Sequence, residues 1–454
     1  MKNISALLLL ISLAINGISQ NHNKQVYFHF TVKNATSDSI MIKDINYLST
    51  KHILLNNGIE DTSFLLTEKF YYFGNENYRL KVFLSPGDSL WISLDEKNVD
   101  SSIVITGNRA EFDSYWIEKN ALDLSIIKQR FVLLDENVFL TKVDSAKEVR
   151  LDLFEKYSPH FSQKEKELAI EQIKYQAIYD LATYQGLHRF YTKNDTFKVS
   201  ENYPDPLKDV DSNNELAANH YEYLNTLTKM VYTEGSKRIR GGDTLDRNLI
   251  HVQAIDSIIS NKKVKSEMTY MLINRNITKS KNPKELIEIA RNSITDSLQL
   301  SSLEEKYKNV VLTKVGNPSP SFTFKNIDGE EVSLEDFKGS VVYIDIWATW
   351  CAPCIAEIPN LEKLQDTLEG KAVVFVSISY SDNHERWKKM VDAKNLGGVQ
   401  LFSEDSNDSF FDNYSVSGIP RFILLDQNLK IIAANADRPS NPNLQKQIEE
   451  LLEK

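Results

Sequence analysis

The chain has 454 residues, enough for two or three domains with cores of their own. Its formal net charge of −10 and its lack of a long basic block argue against a nucleic-acid-binding surface. Only two cysteines occur, three residues apart, which excludes a structural disulfide framework and a cysteine-rich zinc site. We therefore expect a multidomain protein that binds neither nucleic acid nor metal.

Residues 1–20 have the features of a cleavable export signal. Lys2 supplies a positive end, residues 6–15 form a short apolar core, and Gly17 and Ser19 are small residues at cleavage spacing. The alternative is an uncleaved anchor, but spanning a membrane takes ~20 apolar residues. No cysteine follows the core, so we do not expect a lipoprotein. The segment predicts export to the periplasm or cell envelope.

Residues 24–106 predict an all-β domain resembling an antiparallel sandwich. Short stretches alternate apolar and polar side chains and are separated by turn signals. The apolar positions of the first stretch are Val26, Phe28, Phe30 and Val32. The aromatic run 70–73 could form a binding face, but we expect it to pack within a sheet.

Residues 107–312 predict a mostly α-helical region without a catalytic motif. The stretch 163–191 is long and periodic, and four tyrosines lie along it at helical spacing. These tyrosines either pack helices together or line a substrate groove, and we favour packing: Tyr175, Tyr179, Tyr184 and Tyr191. We expect no ligand role for the isolated His188, His220 and His251. The Gly- and Pro-containing stretch 312–320 predicts a linker.

The C-terminal region, residues 314–454, alternates strands and helices and carries both cysteines. The apolar run 341–347, interrupted by one acid, predicts a buried parallel strand. Cys351-Ala352-Pro353-Cys354 follows, where that strand gives way to a helix. Unpaired N–H groups and the helix dipole there favour a thiolate, and the second sulfur lies within reach of the first. This spacing predicts a dithiol/disulfide redox site without any other cofactor.

Two acids and a proline are candidates to assist the cysteines. Burial of Asp345 would raise its pKa and let it exchange a proton with the resolving Cys354. Glu357 lies three residues after Cys354, so helical spacing brings it near the same sulfur. Pro420 precedes an apolar strand and could be a cis-proline against the disulfide, with Ile419 offering backbone hydrogen bonds to a substrate.

Several short motifs carry a resemblance to a known family. They are residues 316–322, 328–329, 332–334 and 337–339, the run Trp347-Ala348-Thr349-Trp350 before the cysteines, and Gly418-Ile419-Pro420. On these residues the region resembles the thioredoxin-like domain of the TlpA/ResA family of envelope thiol–disulfide oxidoreductases. The fold implied is a C-terminal α/β thioredoxin-like fold, preceded by the β-domain and the helical region.

The resemblance also implies roles for individual residues. Cys351 would be the attacking thiolate, Cys354 the resolving thiol with which it forms a disulfide, Glu357 the acid beside them and Pro420 the cis-proline. The substrate-binding residues would be Trp350, Pro353, Ile419 and Pro420. Asp345 matches the buried acid of ordinary thioredoxins, so either acid could handle the proton. Arg421 departs from the family's usual threonine.

Three functions remain open at this point. We favour an exported oxidoreductase that reduces disulfide-bearing envelope proteins and is itself recharged by a membrane electron donor. A peroxiredoxin-like peroxidase would share the pattern upstream of the cysteines. A binding or sensing protein with a redox-regulated domain would explain why two-thirds of the chain lies outside that domain. His384, at a charged helix start far along the chain from the cysteines, is not expected to be catalytic.

Overall fold

A computed structural model of the chain describes residues 25–36, 39–44, 50–55, 58–65, 68–75, 78–403, 408–416 and 418–453. The predicted signal segment, residues 1–20, lies outside these residues. The chain divides into two units. The first runs to Asn274 and includes 289–297, and the second comprises 275–288 and the chain from Leu298 onwards.

The alternating N-terminal stretches form eight strands in the described residues before 108. They are β1 (Gln25–Lys33), β2 (Ser39–Asp44), β3 (Thr50–Leu54), β4 (Ile59–Leu65), β5 (Lys69–Gly74), β6 (Arg79–Leu84), β7 (Ser89–Asp95) and β8 (Val104–Gly107). Two four-stranded sheets result, in the orders β4-β1-β7-β8 and β3-β2-β5-β6. Apolar side chains of both sheets, such as Phe28, Phe73 and Ile92, share one core. The region is therefore a β-sandwich.

One of the two sheets is mixed, so the prediction of a purely antiparallel sandwich is wrong in this detail. β1 and β7 pair in parallel, with Phe28 opposite Leu90. Such a pair needs a long crossover connection, which the strands between them provide. The aromatic run 70–73 lies in β5, where Phe70, Tyr71 and Phe73 are buried, as expected.

Ten α-helices lie in the fully described stretch from residue 99 to 312. They are α1 (Val99–Ser102), α2 (Ala110–Lys128), α3 (Glu136–Tyr157), α4 (Gln163–Thr192), α5 (Tyr221–Arg240), α6 (Arg247–Gln253), α7 (Ile255–Ile258), α8 (Lys262–Asn276), α9 (Pro283–Ser293) and α10 (Ser297–Leu312). The long α4 begins with a capping box between Ser162 and Glu165. None of the helices among the described residues has the length and apolar character needed to cross a bilayer.

The tyrosines on α4 pack against rings of neighbouring segments, as favoured for Tyr175 and Tyr184, and the alternative of a substrate groove stays a prediction. Tyr175 packs on Tyr223 with ring centroids 4.6 Å apart, and Tyr184 stacks on Phe139 at 4.0 Å. Tyr179 and Tyr191, in contrast, line a cavity. Two of the isolated histidines have structural partners: the His220 ring lies 2.9 Å from the Leu168 carbonyl oxygen and the His188 ring 2.7 Å from that of Val132.

The second unit contains a seven-stranded sheet flanked by helices. Its strands are β9 (Thr323–Asn326), β10 (Glu331–Ser333), β11 (Val341–Trp347), β12 (Val373–Ser379), β13 (Val399–Phe402), β14 (Arg421–Leu425) and β15 (Ile431–Ala433). The accompanying helices are α11 (Ala352–Thr367), α12 (His384–Lys394), α13 (Ser409–Asn413) and α14 (Pro442–Leu452). The strand order is β10-β9-β13-β12-β11-β14-β15, with β11 parallel to β12 and antiparallel to β14. This is a thioredoxin-like arrangement.

The central strand β11 is buried on both faces, as its apolar sequence predicted. Val342 and Ile344 pack into one apolar cluster, while Val341 and Tyr343 pack into another together with side chains of α11 and α14. Because side chains alternate along a strand, Asp345 lies on the same face as Tyr343. That face is the one covered by α11.

The stretch expected to be a linker is instead paired with the sheet edge. The N–H of Gly316 donates to the Ile431 carbonyl oxygen at 2.8 Å, and that of Ser319 to the Leu429 carbonyl oxygen at 2.9 Å. The preceding α10 is also tied to this unit, since the Asn309 amide donates to the Asp412 carbonyl oxygen at 2.9 Å. The prediction failed because Gly and Pro indicate irregular backbone but not its hydrogen-bond partners.

Candidate active site

The two cysteines lie at the N-terminus of α11 and form a disulfide. The S–S distance is 1.98 Å and the Cα atoms are 5.2 Å apart. Cys351 is the N-cap residue, and its Sγ accepts a hydrogen bond from the Cys354 N–H at 3.2 Å. Pro353 lies in the first turn, where a missing N–H costs nothing. The sulfur of Cys351 is therefore held at the positive end of a helix.

An apolar bed surrounds the disulfide, and both cysteines are only 4% exposed. The buried side chains of this bed are Trp347, Ala348, Trp387, Val391 and Phe402. Ile419 is half-buried and packs against the same bed. The disulfide thus forms part of a hydrophobic surface rather than standing free in solvent.

The loop before the cysteines is anchored by Asp382, which the sequence analysis missed. One carboxylate oxygen of Asp382 accepts from the Thr349 N–H at 2.6 Å and the other from its hydroxyl at 2.7 Å. The Trp350 indole N–H donates to the Ser381 carbonyl oxygen at 2.9 Å, while the Trp350 side chain remains 57% exposed. Asn383, the residue after Asp382, is the N-cap of α12.

The peptide bond between Ile419 and Pro420 is cis, as the resemblance implied. The next residue, Arg421, has a structural role. Its guanidinium donates to the Ala434 carbonyl oxygen at 2.7 and 3.0 Å and to the Tyr414 carbonyl oxygen at 3.2 Å. Arg421 therefore ties the start of β14 to two neighbouring segments, something a threonine is too short to do.

Asp345 is the buried acid of the site. Removal from water raises its pKa to about 7, and the negative charge of Glu357 acts in the same direction. Its Oδ1 has no hydrogen-bond partner within the described part of the chain. Asp345 lines a cavity of about 20 Å³ together with Ile358 of α11 and Gln400, enough space for one water molecule. A carboxyl group in this state can accept or release a proton near neutral pH.

Glu357 lies on α11 but has partners of its own. Its carboxylate accepts hydrogen bonds from the Ser440 N–H at 3.1 Å and from the Ser440 hydroxyl at 3.0 Å. The Arg438 guanidinium lies 3.6 Å away. These contacts hold Glu357 against the segment before α14, so its direct role at the Cys354 sulfur stays a prediction. Glu357 affects the site electrostatically, because its negative charge raises the pKa of Asp345.

His384 lies closer to the site than its place in the chain indicated. Its ring centroid is 4.8 Å from that of Phe402 and 5.7 Å from that of Trp387, both members of the bed under the disulfide. Within the described residues, no group of three or more His, Cys, Asp or Glu side chains is arranged to hold a metal ion.

The fold and the site define a thioredoxin-like disulfide oxidoreductase. The Redoxin family profile matches residues 314–451. Thiol-disulfide oxidoreductase ResA of Bacillus thuringiensis is 26% identical over 141 residues, which cover 31% of this chain and 78% of ResA. The thioredoxin-like protein YneN of Bacillus subtilis is 34% identical over 122 residues, covering 26% of this chain and 70% of YneN.

Solved structures from Bacteroides are similar over the same share of the chain. The thioredoxin domain of a thiol-disulfide oxidoreductase from Bacteroides vulgatus is 28% identical, with a TM-score of 0.29 and coverage of 31% of this chain and 98% of that one. A thiol:disulfide interchange protein from a Bacteroides species is also 28% identical, with a TM-score of 0.29 and coverage of 31% and 91%. On the sequence relationship to YneN and ResA, the chain belongs to the family of TlpA/ResA-like thiol–disulfide oxidoreductases.

Proposed function

We propose that the protein is exported to the cell envelope, where it reduces disulfide bonds in other proteins through Cys351 and Cys354. The observation that carries the proposal is the disulfide at the N-terminus of α11, on an apolar bed that includes Ile419. Two further features support binding of an extended peptide beside the disulfide. They are the exposed Trp350 side chain and the cis peptide bond between Ile419 and Pro420. The signal-like residues 1–20 support export.

The proposed reaction proceeds in two exchanges. The Cys351 thiolate attacks one sulfur of the substrate disulfide, which forms a mixed disulfide and releases the other substrate sulfur as a thiolate that takes up a proton. Cys354 then loses its proton to Asp345 and attacks the Cys351 sulfur. The second substrate sulfur leaves as a thiolate and takes up the proton held by Asp345, and the enzyme retains the Cys351–Cys354 disulfide. One substrate disulfide has become two thiols, and one enzyme dithiol has become a disulfide.

A second turnover requires two electrons from outside the protein. The proposal therefore includes a membrane electron donor that returns the Cys351–Cys354 disulfide to the dithiol. The redox-active disulfide is the only cofactor the proposal needs.

A trapping experiment tests the role of the two cysteines. Reduced Cys354→Ser protein should accumulate mixed disulfides with envelope proteins, because Cys351 attacks but nothing resolves the adduct. The matched Cys351→Ser variant should trap nothing and lose all exchange activity. Mass spectrometry of the non-reduced adducts identifies the partners. If Cys354→Ser captures no protein from an envelope extract, reduction of envelope proteins is not the function.

The direction of electron flow is tested by the equilibrium reduction potential of the pair. A value well below the glutathione poise of the endoplasmic reticulum, about −180 to −210 mV, would support a reductant. A value at or above that range would make the protein an oxidant or isomerase. Rapid consumption of hydrogen peroxide by the reduced protein would instead favour the peroxidase.

A further inference from the structure

A cavity of about 380 Å³ lies among the helices of the first unit, within residues 123–191. Its walls come from the end of α2, the turn that follows it, α3 and α4. The volume lies in the range of small-molecule sites, roughly 300–1,000 Å³, and the lining is mainly apolar, as in such sites. The disulfide chemistry uses none of these residues.

The floor of the cavity carries a buried cation with an unused donor. Arg150 is 2% exposed, and its Nε donates to Asp123 Oδ1 at 2.8 Å. Its Nη1 has no hydrogen-bond partner in the described part of the chain, and the nearest acid oxygen, Asp180 Oδ2, is 3.9 Å away. A buried guanidinium N–H without an acceptor is costly, so this group is suited to a ligand oxygen.

The charges around the cavity favour an anionic ligand. Asp123 is shared between Lys119, at 2.6 Å, and Arg150. Partial burial of Asp180 raises its pKa to about 6, so it is mostly ionised at pH 7.5. Arg130 lines the cavity and is exposed. With the exposed Lys142, which lies over the ring of the lining residue Phe131, four cations therefore face two carboxylates, which leaves an excess of positive charge. In the next layer, Lys81 beside Lys119 and Glu222 beside Asp180 offset each other.

The opposite end of the cavity is apolar and open to solvent. Phe131 and Phe139 form part of the wall, and Ile127 and Tyr191, both lining residues, are 67% and 59% exposed. Large apolar side chains grouped at an opening are typical of binding surfaces. Lys142 lies over the Phe131 ring at 5.8 Å and adds positive charge near the walls.

We propose that this cavity binds an amphipathic monocarboxylate, with its carboxylate on Arg150 Nη1 and its apolar body between α2, α3 and α4. A carboxylate supplies the acceptor that Arg150 lacks and offsets part of the excess positive charge, while an alkyl chain or ring system fills the apolar volume. A cationic amphiphile would leave Arg150 without an acceptor, and a neutral one would leave the excess charge in place.

Calorimetry on the full chain at pH 7.5, with decanoate, 1-decanol and decylammonium as probes, tests the proposal. Decanoate should bind at one site per chain, roughly tenfold to a hundredfold tighter than 1-decanol, the range of a hydrogen bond to a charged group. Decylammonium should bind more weakly than either. No saturable binding of decanoate, or equal binding of decanoate and 1-decanol, would overturn the proposal.

Four variants locate the site. Arg150→Gln should bring decanoate down to the affinity of 1-decanol, and Arg130→Ala should weaken decanoate severalfold without affecting 1-decanol. Lys128→Ala removes an exposed cation that follows the lining residue Ile127 but does not itself line the cavity, so it is the control and should bind like the wild type. Because Arg150→Gln leaves Asp123 with one partner fewer and can unfold the unit, Ile126→Trp is the second test. It fills the cavity from a half-buried wall position and should abolish binding of both probes, and unchanged binding in this variant would place the site elsewhere.

Discussion

Asp345 is the residue whose protonation links the site to pH. It is buried against α11 and carries an oxygen without a hydrogen-bond partner in the described residues. Its pKa is raised to about 7, whereas that of an unfolded aspartate is ~3.9. The folded protein therefore holds this proton more tightly than the unfolded chain, and the stability gained from it is lost as the pH rises from ~4 to about 7.

Replacing Asp345 by Asn should stabilise the oxidised second unit at alkaline pH. The amide stays neutral, so it avoids the cost of a buried carboxylate, which amounts to ~4 kcal/mol at most in the free energy of unfolding. We expect a higher melting temperature than wild type at pH 8 and a gap that closes towards pH 5, measured by calorimetry. Glu357→Gln serves as the comparison and should shift the wild-type transition to lower pH, because its charge raises the pKa of Asp345. A difference in melting temperature between Asp345→Asn and wild type that does not change with pH would contradict the raised pKa of Asp345.

Asp382 acts as a positioning residue for the cysteine loop. Asp382→Ala removes the acceptors of the Thr349 N–H and hydroxyl, so we expect fast amide hydrogen exchange at Thr349 and a roughly tenfold slower disulfide exchange, equivalent to ~1.4 kcal/mol. Thr349→Val removes the hydroxyl alone and should have a smaller effect on the rate while keeping the amide protected. If both variants exchange disulfides at the wild-type rate, the loop does not depend on Asp382.

At the scale of elements, the start of α11 should make the two cysteines unequal. Cys351 is the N-cap and accepts the Cys354 N–H, and the unpaired N–H groups of the first turn favour a thiolate at that place. In the reduced protein at pH 7, iodoacetamide should therefore modify Cys351 before Cys354, as read by peptide mass spectrometry after brief labelling. Urea-unfolded protein, in which no helix exists, is the control and should label both equally. Equal labelling in the folded protein would show that the N-terminus of α11 does not make Cys351 more reactive than Cys354.

The sequence predicted the elements whose patterns are local. β11 and α4 were recognisable because each has a continuous apolar or periodic pattern, and the cysteine pair is only four residues long. The parallel pairing of β1 with β7 was not predictable in this way, since it depends on a partner about 60 residues away. The bond between Thr349 and Asp382 and that between Glu357 and Ser440 join distant segments for the same reason. Polar partners of a site have no periodicity, so sequence patterns do not reveal them.

The stability of the whole molecule should fall as the pH rises through neutrality towards 8. Burial raises the pKa of Asp113, in the first unit, to about 8, as it raises that of Asp345 in the second. Both contributions to stability are lost as the pH rises from ~4, up to about 7 for Asp345 and up to about 8 for Asp113. In the opposite direction, burial lowers the pKa of His220 well below 6.5, so its contribution is lost as the pH falls below that value.

Calorimetry between pH 5 and 8.5 measures this profile. We expect melting temperatures to fall for both units as the pH rises towards 8, and the profile of the first unit to level off below pH ~6.5, where His220 offsets Asp113. Asp113→Asn should flatten the alkaline fall of the first unit and leave the second unchanged. A melting temperature that rises steadily from pH 6.5 to 8 would show that these buried carboxyls do not control stability.

Because the chain has two cysteines and both belong to one disulfide, each molecule stores a single pair of electrons. A thiol assay on the folded or unfolded protein can return only two or zero per chain, with no background from other sites. Without a donor, a sample of reduced protein can convert at most one substrate disulfide per chain and must then stop. The amplitude of that first burst counts active sites, and any turnover beyond it measures the supply of electrons from elsewhere.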